Sequence, residues 1–391
     1  MSRWWIRNVR LVFPGARVAP GSLVVAEGTI LAIDPVDPPQ DCQEADGGGK
    51  LLTPGLIDVH THGIHTFSYE AGAEAMQAAA RVLPRYGTTT VVPTVCPQQG
   101  PAMLDRLHAT AKALSGATGV HLPGLHIEGP FIAVAGAACA TLHGDLKLLD
   151  DMFAACCGRM AIMSLSPEQP GIIPVIERLR EHGVVVFMTH TRATPEQTQR
   201  AIDAGVSHAT HFYDVFPVPE ETEPGVRPTG VVETVLANRG VSVDFIADGV
   251  HVHPMAIRTS AVTKGWQGVV AITDANIGAG LPAGEYDTPW GFRVRVSPGQ
   301  AARNSVNNSL AGSALTMNAA MRNLMTWLDL PREQVWAMGT CNPARLLGLA
   351  RTGVLAPGAD ADLVLWNDDL TPAKTWCRGS LFFDQDGELL K

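Results

Sequence analysis

At 391 residues the chain exceeds the usual size of one domain, so a large domain with a smaller companion is expected. Apolar residues make up 46% and aromatic residues 6%, with 39 Gly and 28 Pro, which fits a compact globular protein with many tight connections rather than a disordered one. The formal net charge of −9 argues against nucleic acid or an anionic membrane surface as partner, because neither would be attracted.

The segment Met1 to Asn8 has no long apolar core and no small-residue cleavage site, so it does not read as a signal peptide. No window reaches the roughly 18 apolar residues of a membrane-spanning helix. The cytoplasm is the expected location. The cysteines (Cys42, Cys96, Cys139, Cys156, Cys157, Cys341 and Cys377) are odd in number and show no C-x-x-C spacing. They read as mostly buried thiols in a reducing compartment, not as a disulfide framework or a cysteine zinc site.

Residues 1 to about 53 read as short strands broken by turns, with Ser22–Val25 and Thr29–Ile33 flanking Glu27-Gly28. The far end has the same texture, in Asp362–Trp366 and Ser380–Phe383. Residues 1–53 and 348–391 are therefore expected to build one small β-sandwich domain around residues 54–347, since chain ends commonly lie together. The middle alternates strand-like and helix-like runs. Its strand candidates are Leu56–His62, Thr88–Val95, Leu122–Glu128, Met160–Pro167, Val184–Thr191, His208–Phe212, Val241–Ala247 and Gly268–Thr273. Amphipathic stretches lie between them, among them Ala73–Tyr86, Pro101–Leu114, Gly171–His182, Pro195–Ala204, Pro228–Asn238 and His253–Lys264. Eight β/α units predict an α/β fold, a (β/α)8 TIM barrel, with Ser313–Leu328 and Arg332–Leu347 as further helices. No G-x-G-x-x-G or G-K-[ST] loop follows any strand, which removes support for a nucleotide fold.

The first barrel run, Leu56-Ile57-Asp58-Val59-His60-Thr61-His62, ends in two histidines one residue apart. On an extended strand they point to the same side, and two converging imidazoles suit Zn²⁺ or Fe²⁺. Strand three ends in His126-Ile127-Glu128, strand five in Thr189-His190-Thr191 and strand six in Thr210-His211. Strand seven runs into Asp248-Gly249-Val250-His251, and strand eight ends in Thr273-Asp274. A barrel places its active site at the carboxyl ends of its strands, so these side chains would converge there. The chemistry they suit is metal-assisted hydrolysis. Glu128 offers oxygen, His190 and His211 offer nitrogen, and an open position would hold water at a lowered pKa. Asp274 is the natural proton carrier from that water to a leaving amine. No G-x-S-x-G is present and no cysteine sits beside a histidine at a strand end, so nucleophilic catalysis has weaker support.

The order H-x-H, L-H-I-E-G-P-F, T-H-T, T-H-F, I-A-D-G-V-H-V-H-P, T-D-A and L-A-G-S-A-L-T-M resembles the N-acetylglucosamine-6-phosphate deacetylases of the amidohydrolase superfamily. The closing segment 353–364 is similar to that superfamily's terminal sandwich segment, and the resemblance spans essentially the whole chain. It implies that Glu128, His190 and His211 hold one metal and that Asp274 is the general acid and base. It further implies that His60 and His62 hold a second metal or stand ready for one. His251 would contact the substrate, and the backbone around Ala311, Gly312 and Ser313 would line the sugar pocket. One or two divalent ions per subunit follow, Zn²⁺ foremost with Fe²⁺, Co²⁺ or Mn²⁺ as alternatives, and so does a homodimer.

Three departures from the resembled pattern bear on the substrate. Where the family has His-Leu-(Phe/Tyr)-Asn-Ala, with the Asn-Ala pair on the substrate phosphate, this chain has His211-Phe212-Tyr213-Asp214-Val215. An ionised carboxylate cannot donate to phosphate and repels it. Where the family's Arg-Glu-Pro-Gly supplies a phosphate-binding arginine, commonly to the neighbouring subunit's site, this chain has Thr222-Glu223-Pro224-Gly225, with Arg227 nearby but out of register. The loop after Glu128 has Ala138-Cys139-Ala140 in place of Gly-Ala-His, with His143 as a stand-in. The expected function is metal-dependent removal of the acetyl group from an N-acetylated amino sugar, a small-molecule substrate without its usual phosphate. The competing readings are another amidohydrolase activity, such as a deacylase of N-acyl amino acids anchored by Arg227 or Arg192, and a non-catalytic scaffold.

Overall fold

The computed structural model describes residues 3–37, 40–136, 139–297 and 301–387. Eight parallel strands follow one another in sequence order around a barrel: Leu56–Thr61, Thr88–Val95, Leu125–Glu128, Met160–Leu165, Val185–Met188, His208–Ala209, Ser242–Ile246 and Val269–Ile272. Nearly every residue in them is buried, because helices cover the outside and side chains fill the inside. The seam between the first and eighth strands is closed just past their ends. There His60 O accepts from Asp274 N at 2.9 Å, and Ala275 O accepts from His62 N at 2.8 Å. Below it the buried Asp58 carboxylate accepts from the amide and hydroxyl of Thr273.

The helices between strands have local causes. Pro195–Ala204 starts where Thr194 Oγ1 accepts from Gln197 N and Gln197 Oε1 accepts from Thr194 N, with Pro195 in the first turn. Leu146–Cys156, absent from the sequence reading, starts where the Asp145 side chain accepts from Leu148 N at 3.0 Å. The expected helix over 332–347 is two, Arg332–Met338 and Cys341–Leu346. They are divided at Gly339, where a Cβ would stand 2.6 Å from Met321 Sδ. After the eighth strand comes an insertion the sequence reading missed, a three-stranded antiparallel sheet of Gly284–Asp287, Arg293–Val296 and Arg303–Asn304 with its own small core. Among the described residues, no helix is long and apolar enough to cross a membrane.

The chain ends meet as expected, in one hydrogen-bonded sheet folded over its own core. The strand Trp4–Phe13 pairs with Arg17–Ala26 along its length. Its first half also pairs with Gln43–Asp46 and its second half with Leu51–Pro54. The division falls at Asn8, whose φ is 54°. Leu51–Pro54 pairs in turn with Leu363–Trp366, so the two ends of the chain share a ladder.

Period-two alternation makes this shared strand the joint between sheet and barrel. Leu363 and Leu365 enter the core of the sheet, whereas Val364 and Trp366 enter that of the barrel. The Trp366 indole donates to Thr53 Oγ1 at 2.8 Å, lies 5.1 Å from the Trp336 ring and packs where a Cβ on Gly87 would clash. Trp366→Ala should therefore cost about 3–5 kcal/mol, read as a lower urea midpoint. An unchanged midpoint would mean that the joint carries no stability.

Candidate functional site

Every site residue follows from how its strand ends. His60 lies on the first strand and His62 just beyond it, while Glu128 is the last residue of the third. His190, His211 and Asp274 each sit two residues past a strand, with φ of 46°, 36° and 45°. Left-handed backbone costs a non-glycine residue roughly 1–2 kcal/mol, so each turn needs external support. His190 O accepts from Ser166 Oγ and Val134 N, His211 N donates to the Asp244 carboxylate, and Asp274 O accepts from Ser313 N at 2.7 Å.

Glu128 is the hub. Its Oε1 lies 3.1 Å from His211 Nε2 and 3.4 Å from His190 Nε2, and its Oε2 lies 3.4 Å from His62 Nε2 and 3.6 Å from His60 Nε2. Asp274 Oδ1 stands 3.2 Å from His62 Nε2 and 3.6 Å from His60 Nε2. The other ring nitrogens fix the tautomers. His190 Nδ1 faces Val134 O at 3.1 Å and His211 Nδ1 faces Asp214 O at 3.2 Å, and a carbonyl only accepts. Thr210 Oγ1 gives its proton to the Asp244 carboxylate, so His60 Nδ1, 2.8 Å away, must donate to Thr210.

In the neutral imidazoles of His60, His190 and His211, the Nε2 lone pair is thus turned toward carboxylate oxygen. His60 Nε2 is fully buried with no hydrogen-bond partner. Lone pairs facing lone pairs in a buried space require a cation or added protons between them. Burial works against the charge on Glu128, but the surrounding imidazoles outweigh it and hold the carboxyl well below its ordinary range. Burial lowers His211, yet Glu128 pushes it up to about 10. For Asp274, burial is again outweighed, by the His62 hydrogen bond and the charges of His60 and His62, and the carboxyl stays low. A divalent ion can replace the protons this cluster would otherwise have to hold, and the N/O donor set suits one. Among the described residues three triads have ligand atoms within 4.8 Å of one another, His60–His62–Asp274, His60–Glu128–His211 and His62–Cys96–Glu128.

The cluster opens into a cavity of about 400 Å³, also lined by Asp214, His251, Asn276, Leu310, Ala311 and Gly312. His251 Nδ1 is 2.7 Å from Asp248 Oδ2, which orients the ring. Gly312 has φ 60°, and a Cβ there would meet Asp274 O at 2.8 Å, so only glycine lets this backbone pass so close.

Three expected pocket residues lie elsewhere. Ser313 is fully buried beneath the cavity, its hydroxyl donating to Thr273 O and its backbone bracing Asp274 and Asn276. His143 faces a separate surface groove with Asp145 and Pro174. Arg227 is 84% exposed and pairs with Glu233 at 3.0 Å. Ala138 lies outside the described residues. The sequence reading in turn missed Cys96, whose sulfur is 3.4 Å from Glu128 Oε2, and Glu70, Trp290 and Phe292 on the cavity wall. Cys96 follows the second strand directly, so strand-end placement would have found it. A more open groove of about 790 Å³ runs between the end sheet and residues 114–122, but it holds none of the clustered ligands.

Comparison with known proteins gives the arrangement its relatives. A model described as the amidohydrolase family matches residues 51–382. An N-acetylglucosamine-6-phosphate deacetylase of Lysinibacillus sphaericus is 31% identical over 93% of this chain and 94% of its own. An N-acetylgalactosamine-6-phosphate deacetylase of Escherichia coli O157:H7 is also 31% identical, over 92% of this chain and 94% of its own. The crystal structure of N-acetylglucosamine-6-phosphate deacetylase from Pasteurella multocida superposes with a TM-score of 0.87 at 25% identity, covering 97% of this chain and 99% of that one.

Gly136 tests how closely the cluster is set. A Cβ there would stand 2.2 Å from His190 Cε1, so Gly136→Ala must push the imidazole off its carboxylate-facing position. Metal affinity should fall about 10–100-fold, measured by competition with a coloured chelator, while the melting temperature of the metal-free protein stays close to that of the parent. Unaltered affinity would remove His190 from the ligand set.

Proposed function

The chain belongs to the amidohydrolase family, in its N-acetylglucosamine-6-phosphate deacetylase group, and we propose that it removes the acetyl group from an N-acetylated amino sugar. The observation that carries this reading is the Glu128 hub, with imidazole lone pairs directed at both its oxygens and Asp274 beside it.

Glu128, His190 and His211 would hold one divalent ion, and His60 and His62 with Asp274 a second. The hub favours this division, because Oε1 faces the first histidine pair and Oε2 the other. Zinc is the foremost candidate for a borderline N/O site, with Fe²⁺, Co²⁺ and Mn²⁺ as alternatives. Such an ion supplies a Lewis acid that acidifies water and polarises an amide carbonyl. The protein's own groups do the rest. Asp274, held low and aimed at His62, accepts a proton from the attacking water and returns it to the departing amine. His251, its Nδ1 committed to Asp248, turns its other nitrogen to the substrate. The backbone at Ala311-Gly312 lies close enough to bind a sugar edge.

The competing readings have less behind them. An N-acyl amino acid needs a cationic anchor for its carboxylate, yet Arg192 and Arg227 are exposed and neither lines the cavity. A scaffold without chemistry has no use for strained histidines around a buried carboxylate.

Metal-loaded protein should release acetate from an N-acetyl amino sugar, lose the activity on dialysis against a chelator and regain it with Zn²⁺. Asp274→Asn should lower kcat about 10²–10⁴-fold while melting like the parent. Near-parental turnover by that variant would overturn the role of Asp274. The resemblance also carries a cytoplasmic homodimer, which light scattering would read as twice 41.5 kDa.

A further inference from the structure

We infer that the amino sugar this cavity takes carries no phosphate: a neutral or amine-bearing ring lies against Trp290 and Phe292, with a hydroxyl or ammonium group on Asp214. The inference rests on the deacetylase reading above and narrows its substrate class.

Charge is the first argument. Among the described residues lining the cavity there is no Lys and no Arg, whereas Glu70, Glu128, Asp214 and Asp274 all line it. Glu128 and Asp274 face the histidine cluster, and Asp214 is a further carboxylate on the lining. A phosphate dianion brought there would lose its water and meet the charge of Asp214, with no lysine or arginine among the described lining residues of this chain to pair with it.

The position of Asp214 is the second argument. It sits in the turn that leaves His211, and that turn is held closely. Asp214 N donates to His211 O at 2.9 Å, and Asp214 O accepts from His211 Nδ1 at 3.2 Å. On either side, Tyr213 and Val215 have φ of 77° and 55°, costly for an aromatic and a β-branched residue. The strain is spent on a turn that sets a carboxylate, with Val215 next to it, on the cavity wall with His211 and His251. No hydrogen bond or ion pair from any described side chain reaches that carboxylate, so its acceptors are open to a ligand. The loop that follows, residues 217–227, is exposed throughout and carries Glu220, Glu221 and Glu223 against a single Arg227. Arg227 is itself engaged by Glu233.

The aromatic wall is the third argument. Trp290 and Phe292 come from the tip of the inserted hairpin, with ring centroids 6.0 Å apart and planes 26° from parallel. The tip is pinned, since Thr288 Oγ1 donates to Phe292 O at 2.6 Å and accepts from Trp290 N at 3.4 Å. Such a wall offers stacking to the C–H face of a pyranose and nothing to an anion, whose charge the ring faces repel. The site therefore grips the sugar by an apolar face and a hydrogen-bond acceptor.

The test is kcat/KM for acetate release by zinc-loaded protein on N-acetylglucosamine, N-acetylgalactosamine and the 6-phosphate of each. The unphosphorylated sugars should be favoured by at least about tenfold. A preference for either 6-phosphate would overturn the inference and leave the deacetylase reading standing. No acetate from any of the four would overturn both. Asp214→Asn removes the charge while keeping the shape and should shift the ratio at least about tenfold toward the phosphates. Trp290→Ala should raise KM for the free sugars more than it lowers kcat. An unmoved ratio in the first variant, or an unmoved KM in the second, would overturn the corresponding contact.

Discussion

A carboxylate taken out of water has to be neutralised, and in this molecule that requirement falls on Glu128. It lies 4% exposed at the end of the third strand, with a histidine pair facing each oxygen. Much of the surrounding architecture serves to keep those imidazoles from finding a cheaper partner. Val134 O and Asp214 O occupy the far nitrogens of His190 and His211. Asp244 acts through Thr210 on His60, directly on the His211 amide, and on His208 at 2.8 Å. One buried aspartate on the seventh strand thereby sets the ring state of His60 and the backbone of His211. Loss of such an outer group would be felt by any metal held there, because tautomer and ring orientation are lost with it.

The legible parts of the fold were those written in hydrophobic period. Thr88–Val95 and Pro195–Ala204 match their expected limits residue for residue, one as a β-branched run interrupted only by Pro93 and the other opened by a threonine cap and a proline. Strand ends were read too long where chemistry intervenes. Val184–Thr191 was expected, but the ladder stops at Met188, because His190 must leave the sheet in a left-handed turn to face Glu128. The inserted hairpin escaped notice because Gly284–Asp287 and Arg293–Val296 are short and largely polar, and the aromatic pair between them carries no periodic signal.

The cluster that the structure brings together was legible because strand ends are countable, so His60, His62, Glu128, His190, His211 and Asp274 could be named from spacing and order. Pocket residues on loops were less so. Ser313 sits in a sugar-lining motif by resemblance, yet its side chain is spent on Thr273 O beneath the cavity. Arg227 is near Thr222 in sequence, yet its loop keeps it at the surface beside Glu233. Distance along an exposed loop says little about distance across a cavity, and no local pattern records which side of the loop faces inward.

The shared ladder between Leu51–Pro54 and Leu363–Trp366 has a consequence for how the protein is made. These partners lie about 300 residues apart, and ribosomes add on the order of 5–20 residues per second. The amino-terminal strands therefore emerge tens of seconds before their pairing edge exists, and until then Leu51–Pro54 has only one of its two strand partners. Through that interval the nascent chain presents an open β-edge beside exposed apolar side chains, the kind of surface that invites association between polysomes or capture by a chaperone. The strand Leu363–Trp366, among the last to be synthesised, thus acts as a latch, and its arrival covers that edge.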